Sequence, residues 1–258
     1  MSDFGKYSTP ADVSVGESLD PGLRKFMLGV YEKVALGLLV AAALAWVTSS
    51  LPAVTQLLYL TTPTGVLRGY TLLGNIVAFA PLVILLFSAV ALRRVTAQQA
   101  SVLYWVIVGL LGASMGALVL RYTGASIALT FVITAAAFGG LSLVGYTTKR
   151  NLSGVRSFLI VALWGLVLTS AAAVLLPMFG ANFGIQSAGP LFWIINGLGV
   201  LITAGLIASE TQHLKMIYFS VRHDEHAVRT ATNLGALNLF IDFVNMFQFL
   251  LYFLGGRR

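Results

Sequence analysis

The sequence predicts an all-α, polytopic membrane protein: seven transmembrane helices, with the seventh central in a six-helix surround. Three observations lead there. Of 258 residues, 58% are hydrophobic and only 10% are charged, against about 25% charged in an ordinary soluble domain. The apolar residues come in unbroken runs, not in the period-two alternation of a membrane barrel. The last of those runs is polar on several sides, so it should sit inside the bundle and not face lipid broadly. A soluble enzyme, a disulfide-stapled module and a disordered chain are poor fits to this composition. With no cysteine, thiol chemistry is excluded as well.

Residues 1–22 are expected to form a disordered cytoplasmic tail, and residues 23–258 a seven-helix transmembrane domain. The tail holds four of the nine acids, Asp3, Asp12, Glu17 and Asp20, and lacks the basic start and apolar run of a signal peptide. The expected spans are Phe26–Val47, Leu72–Leu92, Val102–Leu120, Ile127–Tyr146, Phe158–Phe179, Leu191–Tyr218 and Ala231–Leu254. Each is long enough to cross about 30 Å of hydrocarbon as a helix. Turn-rich separators lie between them: SSLPAV, TTPTG, RYTG, NLSG and Gly189-Pro190.

The net charge of +7 reads as topology, not as nucleic-acid binding, because Lys and Arg accumulate in cytoplasmic loops. With the N-terminus inside, Lys6, Arg24, Lys25, Lys33, Arg93, Arg94, Lys149, Arg150, Arg156, Lys215, Arg222 and Arg229 all fall on the cytoplasmic side. Only Arg68, Arg121, Arg257 and Arg258 fall outside. The final Arg pair would move inside if the last run re-entered without crossing. Gly109, Gly112 and Gly116 in the third span, with Ala113 and Ala117, read as close helix packing. Nothing in them indicates a dimer, so a monomer in the lipid bilayer is expected. No internal repeat suggests an inverted-repeat transporter.

Five acids remain. Asp224 and Glu225 lie in the polar loop before the last span. Glu32 neighbours Lys33 near the inner surface, where pairing explains it. Glu210 and Asp242 lie deeper in apolar runs, where a charge costs about 2.5–3.5 kcal/mol on the mildest scale. Glu210 is about 12 Å from the end of the sixth span and Asp242 about 16 Å into the seventh. The two spans are antiparallel neighbours, so the carboxyls reach similar depth. Asn196, Gly199, Thr203 and Glu210 share one helical face, as do Gly235, Asn238, Asp242 and Asn245. Asn233 and Gln248 fall elsewhere on the seventh circumference. Two close carboxyls in low dielectric can hold a shared proton. When both are charged, they are hard oxygen ligands for Ca²⁺. The alternative is a polar contact that only fixes packing. An Arg at the inner end of the second span, Arg93 or Arg94, is placed to pair with such a carboxylate, or to anchor at the interface.

These segments resemble a known family. Ser209-Glu-Thr-Gln-His-Leu-Lys-Met-Ile-Tyr218 is similar to the [YF]-D-T-Q-x-[IL]-K signature of the Bax inhibitor-1 family, the transmembrane Bax-inhibitor-motif proteins. Gly235-Ala-Leu-Asn-Leu-Phe-Ile-Asp-Phe-Val-Asn-Met-Phe247 resembles its closing motif. Leu23–Tyr31 is similar to bacterial members. The resemblance implies six helices around a central seventh, and pH-sensitive passage of Ca²⁺ in a bacterial inner membrane. It implies proton sensing and ion binding at Glu210 and Asp242, with Arg93 as a latch. Asn196, Thr203, Thr211, Gln212, His213, Asn238 and Asn245 are supporting polar residues. No cofactor is expected beyond Ca²⁺ as a bound or transported ion. Glu210 stands where the family usually has Asp, which lengthens its reach by about one methylene.

Other functions fit less well. An intramembrane aspartyl protease uses two Asp with G-x-G-D, and this chain has Leu-Phe-Ile-Asp242 and a Glu; no enzyme is expected. A retinal protein needs a Lys in its seventh span, which has none. The standing alternatives are a non-conducting interaction protein that modulates a membrane-bound ATP-dependent protease or a stress response, as the resemblance to some bacterial members suggests, and a proton-coupled cation exchanger.

Overall fold

A computed structural model describes residues 20–63, 65–91, 95–175 and 189–256. The described chain is helical apart from one small hairpin. Helix α1 (Pro21–Ser50) leads into a short α2 (Pro52–Leu58) and strands β1 (Tyr59–Thr61) and β2 (Leu67–Tyr70). Then follow α3 (Leu72–Ala91), α4 (Ala97–Arg121), α5 (Gly124–Thr147), α6 (Ser153–Leu175), α7 (Pro190–Val221) and α8 (Glu225–Leu254). Six of these helices are long and apolar enough to cross a membrane, and α3 carries a shorter apolar stretch, Leu72–Ser88. The protein is therefore an all-α polytopic membrane protein, with the described part of each expected apolar run falling on a helix.

Several helices outrun their apolar segments. α1 starts five residues before Phe26, α7 ends three past Tyr218, and α8 starts six before Ala231. Hydropathy marks where lipid begins, whereas the helix ends where its backbone groups find caps. Asp20 caps α1 by accepting from the backbone N–H of Gly22 at 2.7 Å and Leu23 at 3.2 Å, with Pro21 at the first turn. Asp224 caps α8 by accepting from His226 and Ala227. The extensions meet at one end of the bundle, where Phe26 stacks near Tyr218 and Asp20 lies 3.8 Å from Arg222. Of the expected tail, residues 1–19 lie outside the described residues.

The expected turn region after the first span is ordered. β1 and β2 pair antiparallel, and Gly65 at φ 80° supplies the left-handed turn. Tyr59 is buried and donates its hydroxyl to the Ala113 carbonyl at 2.6 Å, which docks the hairpin on α4. Burial raises its pKa to about 12, so it remains a donor across physiological pH.

The small residues of α4 pack as expected. A Cβ on Gly112 would come within 2.6 Å of Ala41 Cα, and one on Gly116 within 2.2 Å of Thr48 Oγ1. This lets α1 and α4 approach closely over a core of Val30, Val34, Tyr104, Ile107 and Phe240. Gly109 faces open space. Lys33 does not pair with Glu32, which is exposed; its ammonium reaches Asn233 Oδ1 and the Tyr104 ring. Asn233 in turn donates to the Ala97 carbonyl.

α8 is the most buried span, consistent with a central position. It packs on α1, α4, α5 and α7. The surround is not closed around it: α3 packs chiefly on α4, and α6 on α7. Between α8 and those two outer helices lies a cavity.

Candidate functional site

The cavity measures about 670 Å³ and is lined by α3, α4, α6, α7 and α8. Along α8 it touches Leu234 at one end and Tyr252 at the other. That is a rise of about 27 Å, most of the hydrocarbon thickness. Its polar wall is one face of α8, with Asn238, Asp242, Asn245 and Gln248. The spacing of those residues keeps them on one side of a 3.6-residue helix. Gln248, assigned above to another part of the circumference, therefore belongs to the same stripe. Gly235 does not; it packs against Leu214.

Glu210 enters the cavity from α7 at the end shared with Arg156 of α6. Arg156 Nε donates to Glu210 Oε2 at 2.7 Å, and Asn238 Nδ2 donates to Glu210 Oε1 at 2.6 Å. Both carboxylate oxygens are thus occupied, and the residue is 4% exposed. Asp242 is 7% exposed and lines the same cavity. Glu210 and Arg156 are the charges that act on it. No hydrogen bond joins the two carboxyls among the described residues.

Arg156 joins this cluster, although the sequence alone marks it only as a cytoplasmic base. A signal was there. Arg156, Ile160, Leu163, Trp164 and Val167 recur at helical spacing, and all of them line the cavity. Arg93, the expected latch, lies outside the described residues.

The segment Glu210–Lys215 explains how Arg156 is placed. Gln212 Oε1 accepts from the Leu152 N–H at 2.8 Å, and its Nε2 donates to the Arg150 carbonyl at 2.8 Å. Lys215 donates to the Tyr146 carbonyl at 2.8 Å and lies over the Tyr146 ring. One turn and a half of α7 thus grips the end of α5, the following loop and the first turn of α6. His213 lies within electrostatic range of both Arg156 and Glu210.

The other expected residues divide. Asn245 lines the cavity. Asn196, Thr203 and Thr211 do not; each donates to a carbonyl of its own helix, Phe192, Gly199 and Ile207 respectively. Hydroxyl and amide groups on a membrane helix are readily satisfied this way, so a polar face on a wheel overstates what a path can use.

Fold and cavity together define a polytopic helical membrane protein with a charged cluster buried among its helices. The profile of the family described as "Inhibitor of apoptosis-promoting Bax1" matches residues 23–258. The chain belongs to this Bax inhibitor-1 family. It is 51% identical to a protein of Caulobacter vibrioides and 36% identical to protein RP147 of Rickettsia prowazekii, each over the full length of both chains. It is 37% identical to the inner membrane protein YbhL of Escherichia coli, over 92% of this chain and 94% of that one.

Proposed function

We propose that this chain is a pH-sensitive cation leak of the bacterial inner membrane, with Ca²⁺ as cargo and with no catalytic activity. The observation that carries this reading is the ion pair between Arg156 and Glu210 at one end of a cavity that Asp242 also lines. In this reading seven helices span, the N-terminus is cytoplasmic, and the Arg156 end faces the cytoplasm. YbhL, described as an inner membrane protein, supports the location. The protein acts as a monomer with no resident cofactor.

Arg156 is the latch. While Glu210 is ionised, it holds the guanidinium across the inner end. Acid that removes the charge pair releases Arg156 toward solvent. The leak therefore rises with acid. With Arg156 released, the carboxyls of Glu210 and Asp242 share one path, and whichever is ionised offers a divalent ion a hard oxygen donor. Two carboxyls form a transient stop for a passing divalent ion, not a closed cage.

Purified protein in liposomes with a trapped Ca²⁺ dye tests this. Glu210→Gln, which mimics the protonated acid, should leak at a raised rate that no longer follows pH. Asp242→Asn should leak several-fold less. Flux indifferent to both substitutions and to pH would refute the leak. The polar extensions of α1, α7 and α8 favour a second reading, a docking platform for a membrane-bound protease. That reading requires a co-purifying partner and no flux from the chain alone.

A further inference from the structure

We infer that the cavity is also a binding site for a lipophilic ammonium, an amine-bearing molecule with an apolar body, whose nitrogen sits on Asp242. The inference starts from a buried carboxyl without a protein partner. Glu210 is neutralised by Arg156 and bonded by Asn238. Asp242 is 7% exposed and accepts no hydrogen bond or ion pair among the described residues, yet it lines the cavity. An ionised Asp242 would therefore be the one charge in the cluster that no described protein group balances. A divalent ion would overcompensate it, whereas a single ammonium matches it.

The walls specify the rest of the ligand. Opposite Asp242 stand Leu82 and Leu85 of α3 and Ile160, Leu163 and Trp164 of α6. The volume of about 670 Å³ is in the range of small-molecule sites, roughly 300–1,000 Å³. Such sites combine an apolar lining with a few placed polar groups. Here these are one carboxylate and the amides of Asn245 and Gln248, which accept N–H bonds, with Trp164 to offer a ring face to a cation. Hydrated divalent ions gain nothing from such walls; an alkyl or cage amine does. Entry from the bilayer is available between α3 and α6, each of which packs chiefly on its other neighbour.

The inference uses the same cavity as the proposed path but does not require conduction. The test is thermal unfolding of the full-length protein in detergent with 1-adamantylammonium as probe and 1-adamantanol as its uncharged counterpart. The amine should raise Tm saturably and the alcohol should not. Asp242→Asn should weaken the amine at least tenfold. Ile160→Trp, which fills the wall and leaves every charge in place, should abolish the shift, and it serves if Asp242→Asn does not fold. Equal stabilisation by the alcohol, or a shift unchanged in both variants, would overturn the inference. Adding phosphatidylethanolamine to phosphatidylglycerol nanodiscs identifies the source: competition with the probe assigns a lipid headgroup, and its absence a free amine. A protein that passes no Ca²⁺ but shows the charge-dependent shift would refute the leak and leave this site standing.

Discussion

The two sides of α8 are built on opposite rules. On the α1–α4 side, Gly112 and Gly116 bring backbones together, Tyr104, Ile107 and Phe240 are fully buried, and the space left is a small apolar cavity of about 130 Å³. Few polar groups enter, and Tyr104 is satisfied by donating to the Lys33 carbonyl. On the α3–α6 side, a polar stripe faces a cavity, and Pro81 in α3 removes a backbone N–H beside it. The contrast teaches that the charge cluster is affordable because the other half of the bundle supplies the packing. Rigidity sits on one side and a polar, space-containing site on the other.

Substitutions should separate the two sides, from the largest effect down. Gly112→Leu drives a side chain into the α1 backbone and should destabilise by about 3 kcal/mol, read as loss of the folded species on titrating the protein with a harsh detergent. Its flux per folded molecule should stay at the wild-type level if the sides are independent. Arg156→Gln strands Glu210. Removing one partner of a fully buried pair costs about 3–5 kcal/mol; Arg156 is 23% exposed, so about 2 kcal/mol is expected, with a strong rise in flux. Gln212→Ala removes the anchor of the α5–α6 loop. It should lower stability by about 1 kcal/mol and shift the pH profile of flux toward that of the Arg156 variant. Asn196→Leu should change stability by less than about 0.5 kcal/mol and leave flux alone, since its amide only bonds its own helix. A large flux effect there would put the α7 face back into the path.

Much of this was legible before any coordinates. Long apolar runs located the helices, and the cost of charge in lipid isolated Glu210 and Asp242 from the other acids. Helix ends were not legible, because Asp20 and Asp224 extend helices by capping beyond the apolar run. The hairpin was hidden because three- and four-residue strands carry almost no pattern of their own; Tyr59 is held by a carbonyl on a distant helix. Arg156 was hidden for a different reason. A base two residues outside an apolar run reads as a loop charge, and only the tertiary grip of Gln212 and Lys215 turns its helix toward Glu210. The wheel of α7 misled in the other direction, since Asn196 and Thr203 satisfy themselves locally.

The most direct test of the latch is the pH dependence of Ca²⁺ flux in liposomes for wild type, Arg156→Gln and Arg93→Gln side by side. An Arg156 latch predicts that Arg156→Gln raises flux at neutral pH to near the acid level of the wild type and flattens the profile, while Arg93→Gln keeps the wild-type profile. A wild-type profile in Arg156→Gln, with the flattening found in Arg93→Gln instead, would contradict it.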